Sequence, residues 1–256
     1  MSASEGAPAG SGPAAAGTRI VEYEPGDLTV IVESAMRVSE LRALLAEQRQ
    51  RLSLDPPGDP TLGECLLDDL SGPLRHRYGT MRDLVLGVTV VLGDGLRAHA
   101  GGKVVKNVAG FDLGKLFCGS RGRLGAVARL ALRLHPLPAV ARTAVVDASR
   151  WLELHRSDLV PSAVDRLGDE LHVCFEGSAR SVESQLAQLG GEEADRWDEI
   201  RALQATLPGR RRWDAADRED APLVRPGPRV AYTSEPPAER WSPLAERVVE
   251  ALWTRS

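Results

Sequence analysis

The chain has 256 residues, with 32 basic and 36 acidic side chains and a formal net charge of −4. This balance gives no overall attraction to nucleic acid or to an anionic membrane, so any anion site must be local. The longest nearly uncharged apolar stretch, residues 84–92, is less than half as long as a membrane-spanning helix needs to be. The three cysteines lack the close spacing of zinc, redox or iron–sulfur motifs, and no metal site is expected.

The N-terminal part of the chain begins with a segment without a folding pattern. Residues 1–18 are almost entirely Ala, Gly, Ser and Pro, which predicts a disordered tail rather than a standard secretory signal. Residues 20–23 and 28–32 then predict two strands joined by a tight turn. Apolar side chains at helical spacing predict an amphipathic helix over residues 38–50.

The middle of the chain contains a hairpin signal that also resembles a nucleotide-binding motif. Residues 84–92 and 96–99 flank the turn residues Gly93, Asp94 and Gly95, which favours a β-hairpin. The spacing Gly93-x-Gly95-x-x-Ala98 would also match a dinucleotide fingerprint, but that motif must open a helix, and the glycines at 101 and 102 arrive too soon. Alternation over residues 128–134 predicts one further strand.

Beyond about residue 139 the pattern changes to that of a second, smaller α+β unit. Strands are predicted at 143–146, 171–175 and 229–233, helices at 161–167, 178–189, 194–207 and from 243 onward, and an irregular loop at 208–228. The predicted fold class is therefore α+β. The expected division is a tail at 1–18, a first domain at 19–138 and a second domain at 139–256.

A basic, glycine-rich segment at residues 101–125 is the most informative local feature. It holds every lysine of the chain, and its three lysines and two arginines against one aspartate give a local charge of +4. Glycines at 119, 122 and 125 would let backbone amides approach phosphate oxygens, which suits a cofactor that carries a diphosphate. The alternative is a solvated basic loop whose glycines serve turns.

Three other features carry weaker signals. Asp55-Pro56-Pro57-Gly58 and Ser71-Gly72-Pro73 predict rigid loops with hydroxyl and amide donors nearby. The five histidines are scattered in a way that favours structural roles. The arginines at 210–212 are followed by four acidic residues, which indicates a self-neutralised surface loop and not a nucleic-acid site.

Taken in order, these segments resemble the E-subunit family of bacterial glycolate oxidase, whose members are flavoproteins with the FAD-binding fold of the vanillyl-alcohol oxidase and p-cresol methylhydroxylase (PCMH) group. The resemblance is dense over residues 20–138 and thinner over 139–205. It is carried by residues 55–58, 70–73, 77–79, 82–87, 103–117, 119–120 and 124–125, and the run from Lys103 to Phe117 is the most specific of them.

The resemblance implies a PCMH-type FAD domain, here with an incomplete first subdomain, followed by a smaller α+β cap domain. It implies FAD as the cofactor and oxidation of a small 2-hydroxy acid within a multi-subunit complex. The implied partners are a sister flavin subunit and an iron–sulfur subunit that accepts the electrons. The implied location is the cytoplasm, or the inner face of the membrane through those partners. No side chain is singled out as catalytic.

The resemblance also assigns thirteen residues to the surroundings of the flavin. They belong to three groups, two of them in the proline- and glycine-rich loops and one in the basic segment. The residues are Pro57, Gly58, Thr61, Gly63, Ser71, Gly72, Tyr78, Gly79, Gly119, Ser120, Gly122, Gly125 and Val127.

The chain departs from the family pattern at three places. The glycine-rich loop that usually precedes the first strand and grips the pyrophosphate is absent, and Arg123 stands where the family usually has threonine. Glu64 stands where the family usually has glycine, and its carboxylate would repel a diphosphate unless it is paired, with Arg123 as one candidate. Two alternatives follow: a flavin-free scaffold subunit that acts through its partners, or a chain whose true start lies upstream.

Overall fold

The computed structural model describes residues 17–102, 113–212 and 221–235. Through the first half of the chain the elements are β1 (Ile20–Glu24), β2 (Thr29–Glu33), α1 (Val38–Ala46), β3 (Gln50–Arg51), α2 (Leu62–Leu67), α3 (Arg75–Tyr78), α4 (Met81–Leu84), β4 (Val85–Val91), β5 (Arg97–Gly101), α5 (Leu113–Phe117), β6 (Ala126–Arg133) and β7 (His135–Pro136). They are followed by β8 (Val140–Asp147), α6 (Trp151–Arg156), β9 (Ala163–Leu167), β10 (Glu170–Gly177), α7 (Ala179–Leu189), β11 (Glu192–Glu193), α8 (Trp197–Ala205), β12 (Gly209–Arg212), β13 (Leu223–Arg225) and β14 (Val230–Thr233).

The first sheet is antiparallel and has the strand order β1-β2-β6-β4-β5 among the described residues. Its inner face carries Val30 and Leu132, which are buried together with Leu41 of α1 and Leu66 of α2. Burial of each such side chain contributes about 1.5–3 kcal/mol of hydrophobic stabilisation. Helices α1 and α2 are thereby fixed on one face of the sheet.

The hairpin predicted around residue 94 is confirmed. Strands β4 and β5 pair in register with Val91 opposite Arg97, and the Asp94 side chain accepts a hydrogen bond from the Leu96 amide at 2.9 Å. An extended strand therefore follows the glycines, where a dinucleotide fingerprint would need a helix.

The second sheet is also antiparallel, and its described strands follow the order β11-β8-β10-β9-β13-β14-β12. Helix α7 packs Val182 and Leu186 against Phe175 of β10, and Ile200 of α8 packs against Tyr232 of β14. Two antiparallel sheets, each carrying its own helices, confirm the predicted α+β class. The first sheet lies within residues 20–133 and the second within residues 140–233.

Two sequence-based predictions in this second part are wrong. The helix predicted at 161–167 is largely strand β9, which lies between β10 and β13 and buries Ala163, Val164 and Asp165 in succession. A strand that is buried on both faces lacks the alternation that identifies a half-exposed strand. The loop predicted at 208–228 contains β12 and β13, both paired with β14. The predicted helix from residue 243 and most of the predicted tail lie outside the described residues.

A buried polar cluster joins the two sheets. Arg225 of β13 and Asp165 of β9 are fully buried, with Nε of Arg225 at 3.0 Å from both carboxylate oxygens. The same guanidinium donates to Tyr232 Oη at 2.5 Å and to Gln204 Oε1 at 2.6 Å. Gln204 Nε2 donates to the Ser71 carbonyl at 2.8 Å, and Arg225 Nη1 lies 3.4 Å from that oxygen. The second sheet therefore holds a loop of the first part in place.

A second polar cluster lies nearby. Arg51 of β3 makes two hydrogen bonds to the Glu176 carboxylate of β10, at 2.7 and 2.5 Å. Tyr78 donates its hydroxyl to the same carboxylate at 3.0 Å, and its ring lies 4.8 Å from the His135 ring. Tyr78 therefore connects the two parts of the molecule.

We expect Arg225→Met to lower the free energy of unfolding by about 3–5 kcal/mol, because it leaves the Asp165 carboxylate buried without its counter-charge. Arg142→Met is the matched control. It removes a surface pair with Glu193 in the same sheet and should cost at most about 1 kcal/mol. Urea unfolding at neutral pH measures both variants, and equal losses would show that the buried pair is not a special contributor.

Candidate functional site

A cleft of about 560 Å³ lies between the two parts of the molecule. Residues before β4 supply Leu52, Leu54, Asp55 and Leu74 to its wall, and the second sheet and its helix α8 supply Glu176, Trp197 and Arg201. Its volume falls within the roughly 300–1,000 Å³ of small-molecule pockets, and it combines apolar walls with a few polar groups. The cleft is therefore a candidate binding site.

Asp55 is one of two buried acidic residues that line this cleft, the other being Glu176. Its Oδ1 accepts a hydrogen bond from the Leu74 amide at 3.0 Å, and its Oδ2 lies 3.5 Å from Nη1 of Arg201. Burial raises the pKa of Asp55 to about 6, because loss of solvent outweighs the opposing effects of Arg225, the Leu74 amide and Arg201. At neutral pH the carboxylate is thus mostly ionised, but its pKa lies within about one unit of the pH.

The predicted flavin residues around position 75 lie at the junction of the sheets. Gly72 packs so closely on Asp55 that a Cβ atom there would lie 1.7 Å from the Asp55 carbonyl oxygen. Ser71 Oγ accepts a hydrogen bond from Arg75 at 2.9 Å, and its carbonyl is held by the second sheet. The Tyr78 hydroxyl is engaged by Glu176, and the Gly79 amide donates to the Arg75 carbonyl. These contacts are internal and hold the chain together.

The start of α2 is closed by its own side chains. Thr61 and Glu64 form a capping box, in which Glu64 accepts from the Thr61 amide at 2.7 Å and the Glu64 amide donates to Thr61 Oγ1 at 3.2 Å. The amides of Leu62 and Gly63 donate to carbonyls of the segment after β2, at 2.9 and 2.8 Å. All four amides at this helix start are satisfied, and the Glu64 carboxylate occupies the position in front of them.

The glycine loop of the basic segment lies at the other end of α2. The amides of Gly119 and Arg121 donate to the carbonyls of the last two residues of that helix, at 2.9 and 2.8 Å. The Gly125 amide donates to the Gly122 carbonyl, and a Cβ atom at Gly125 would lie 2.4 Å from the Val91 carbonyl oxygen. These glycines serve helix capping and close chain packing, which favours the turn-forming alternative for this loop.

A few of the thirteen predicted residues keep a free polar group. Ser120 is buried, and its Oγ has no hydrogen-bond partner among the described residues. Gly58 and Gly122 have positive φ and open space where a side chain would be, and their amides donate to no other described residue. Pro57 is half-buried beside Gly58, whereas Val127 is buried in the core of the first sheet. Of the most specific run, Lys103 to Phe117, residues 103–112 lie outside the described residues and the rest forms α5.

These contacts allow a direct test of the cofactor that the family resemblance implies. The start of α2 and the amides of Gly119, Arg121 and Gly125 do not fit a diphosphate, because their donors are already used within the chain. The cleft and the free groups of Ser120, Gly58 and Gly122 leave room for other parts of a ligand. Pairing of Glu64 with Arg123 stays a prediction.

The structure also brings forward residues that the sequence reasoning missed. Arg225, Asp165 and Glu176 are charged residues inside otherwise apolar strand sequences, and each is buried with a partner. A charge within a buried strand pattern is the sequence signal that could have identified them.

Burial lowers the pKa of His76 and of His135 to about 4, so both rings are neutral at physiological pH. No three metal-binding side chains cluster among the residues described.

Comparisons with known proteins place this geometry in context. The model of the family described as "FAD binding domain" matches residues 15–101. The chain is 31% identical over 219 residues to glycolate oxidase subunit GlcE of Escherichia coli (strain K12), a match that covers 80% of this chain and 62% of the relative. It is 38% identical over 129 residues to a mitochondrial D-lactate dehydrogenase [cytochrome] of Arabidopsis thaliana, covering 50% of this chain and 23% of that one.

Among solved structures, an alkyldihydroxyacetonephosphate synthase aligns with a TM-score of 0.58 and 17% identity, over 72% of this chain and 43% of that one. At this identity the likeness concerns the fold alone. The chain spans less than two thirds of the length of these relatives.

We expect Gly125→Ala to lower the free energy of unfolding by at least about 3 kcal/mol, because the added Cβ both clashes with the Val91 carbonyl and forces an unfavourable φ. Gly122→Ala, three residues earlier in the same loop, has open space and should cost only about 1–2 kcal/mol. Thermal or urea unfolding compares the two variants. Similar losses would contradict a packing role for Gly125.

Asp55 should make folding stability depend on pH. Its pKa of about 6 in the folded chain lies above the value of about 3.9 in an unfolded chain, so the folded state binds a proton that the unfolded state releases. The stabilisation is therefore complete below about pH 4 and is lost as pH rises through 6, by about 3 kcal/mol. In urea unfolding, the difference between wild type and Asp55→Asn should follow this trend; a pH-independent difference would contradict it.

Proposed function

We propose that the chain is a member of the FAD-binding family of the PCMH type and that it is an FAD-linked oxidoreductase subunit that takes part in the oxidation of a small 2-hydroxy acid. One observation carries the proposal. The similarity to glycolate oxidase subunit GlcE extends over 219 residues, which is longer than either sheet region, so it includes residues of both sheets. The cleft between the two parts of the chain gives such a substrate a place to bind.

We further propose that the chain divides near residue 138 into an FAD-binding domain and an α+β cap domain. The proposed partners are a sister flavin subunit and an iron–sulfur subunit that accepts the electrons, in line with the word "subunit" in the names of the glycolate oxidase relatives. We place the complex in the cytoplasm or at the inner face of the membrane through these partners. None of the described helices has the length and apolar character needed to cross a membrane.

FAD is the cofactor of this family, and the thirteen residues named from the sequence stay our proposal for its surroundings. Within that set, Ser120, Gly58 and Gly122 carry the proposal, since the Ser120 hydroxyl and the two glycine amides have no hydrogen-bond partner among the described residues. The capped start of α2 supports a position for the diphosphate away from Thr61 and Gly63. In this assignment the protein holds and orients the flavin, which supplies the redox chemistry when bound.

The second candidate function is a flavin-free scaffold subunit that acts through its partners. It is favoured by the same hydrogen bonds that close both ends of α2, since a chain that satisfies these amides internally folds there without a ligand. Both candidates share the fold and differ in whether flavin is retained.

Flavin retention separates the two. The full chain is purified alone and together with its partner subunits, passed through gel filtration, and examined for the visible absorption bands of oxidised flavin. We expect flavin to elute with the protein and to be bleached by glycolate or lactate. A folded chain that stays colourless in both preparations, even after incubation with FAD, would support the scaffold instead.

A variant pair sharpens this experiment. Gly122→Asp adds a negative charge at an open position where aspartate tolerates positive φ, so it should lower flavin content without unfolding the chain. Gly95→Asp is the matched control, because Gly95 also has positive φ and open space but lies in the β4–β5 turn. Equal flavin content in the two variants would remove the 119–125 loop from the cofactor site.

A further inference from the structure

We propose that the cleft binds a small 2-hydroxy acid through two opposed side chains: the guanidinium of Arg201 takes the carboxylate, and Oδ2 of Asp55 accepts a hydrogen bond from the hydroxyl. The inference rests on the proposed function for its substrate class, and it adds the residues that recognise that class. Both residues line the cleft, one from helix α8 and the other from the loop after β3.

Arg201 has donor capacity that faces the cleft. Its Nη1 lies 3.5 Å from Oδ2 of Asp55, longer than the roughly 2.7–2.9 Å of a charge-assisted hydrogen bond. Its Nη2 contacts Asp198 at 2.6 Å, but the Asp198 side chain is fully exposed and the pair is readily exchanged in water. The planar guanidinium fork matches the two oxygens of a carboxylate.

Two other arginines of the cleft are more fully occupied. Arg51 holds the Glu176 carboxylate with two hydrogen bonds, and Arg196 pairs with both Glu170 and Glu199 at 2.8 and 2.9 Å. A ligand would have to break those pairs to use either guanidinium. Arg201 can accept a ligand carboxylate at a lower cost than these two, and unlike Arg42, the fourth arginine of the lining, it lies beside the buried Asp55, which is why the geometry points to it.

Asp55 supplies a rigid and buried acceptor opposite Arg201. Its Oδ1 is fixed by the Leu74 amide, which leaves Oδ2 directed towards the arginine. The close packing of Gly72 on the Asp55 main chain prevents the loop from shifting. An oxygen-rich ligand that lies against both neighbouring side chains would thus meet one donor fork and one acceptor.

The remaining wall is compatible with a ligand that has a short apolar part and a single negative charge. Trp197 is held in place by the hydrogen bond from its Nε1 to Thr143 at 2.7 Å, and Leu52 and Leu54 complete an apolar surface. The lining contains five acidic side chains against four arginines, a balance that repels phosphate and other polyanions. A single carboxylate with a short carbon chain and a hydroxyl suits these walls.

Binding of the ligand hydroxyl should be linked to ionisation of Asp55. The charged groups that act on Asp55 are Arg201 of α8, Arg225 of β13 and Asp165 of β9, together with the Leu74 amide. Because Oδ1 already accepts from that amide, Oδ2 can accept from the ligand hydroxyl only while it carries no proton. The preference for glycolate over acetate should accordingly rise as pH rises from about 5.5 to about 7.5.

The test is calorimetric titration of the purified full chain with glycolate and, separately, acetate. We expect Arg201→Gln to weaken glycolate binding about tenfold or more, since it loses a hydrogen-bonded charge pair. Arg196→Gln, a neighbouring cleft arginine, is the matched control and should stay within about twofold of wild type. Wild type should prefer glycolate to acetate, whereas Asp55→Asn should lose most of that preference and its pH dependence.

Each outcome bears on the inference. Equal binding by Arg201→Gln and Arg196→Gln, or no glycolate binding by wild type, overturns it. If Arg201→Gln proves unfolded by circular dichroism, Arg201→Lys decides: weaker binding by a folded lysine variant supports use of the guanidinium fork, and wild-type affinity rejects it. Flavin content and dye reduction are measured on the same samples. Glycolate binding that needs Arg201 in a flavin-free, inactive chain would refute the proposed function alone, whereas turnover with Arg201-independent binding would refute the clamp alone.

Discussion

The arrangement of this molecule depends on a charge that is buried far from water. Arg225 is neutralised by Asp165 on the neighbouring strand, and its remaining donors reach Tyr232, Gln204 and the Ser71 carbonyl. A buried guanidinium is tolerated only when nearly every donor is satisfied, so the positions of its partners are tightly constrained. Because one partner belongs to the first part of the chain, the constraint fixes how the two sheets meet and forms the cleft between them.

The same constraint explains what the cleft offers. The loop before α3 is held from one side by Gln204 and Arg225 and from the other by the packing of Gly72 on Asp55. Asp55 is therefore buried at the boundary and not exposed on a flexible loop, and its proton affinity is raised as a result. A site formed at a rigid boundary of two sheets has its polar groups in place before a ligand arrives.

The sequence predicted the first sheet well, because its strands alternate and its turns carry strong local signals, as at Asp94. It failed for β9, whose residues are buried in succession so that no period of two is visible. The family and cofactor class followed from the order of the motifs. The contacts of the individual glycines could not be predicted. A glycine that makes room for a phosphate and one that makes room for a neighbouring carbonyl look alike in a sequence.

Glu64 shows that the role of a charged residue is equally hard to predict from sequence alone. Thr61 and Glu64 have the spacing of a capping box, yet the family resemblance made the carboxylate look like an obstacle to a phosphate. The same Glu64 carboxylate could cap the helix or repel a phosphate. Only its hydrogen bond to the Thr61 amide shows that it caps the helix. Long-range partners such as Arg51 and Glu176, which are 125 residues apart, carry no local signal at all.

Helix α2 has only six residues and would not persist alone in water. Here Thr61 and Glu64 seal its first turn, while the backbone of a loop more than 50 residues later seals its last one. Helix α2 and the 119–125 loop that caps it therefore stabilise each other, and their conformation does not depend on a bound ligand. A chain without a ligand would accordingly resist local unfolding at α2 as well as a chain that carries one.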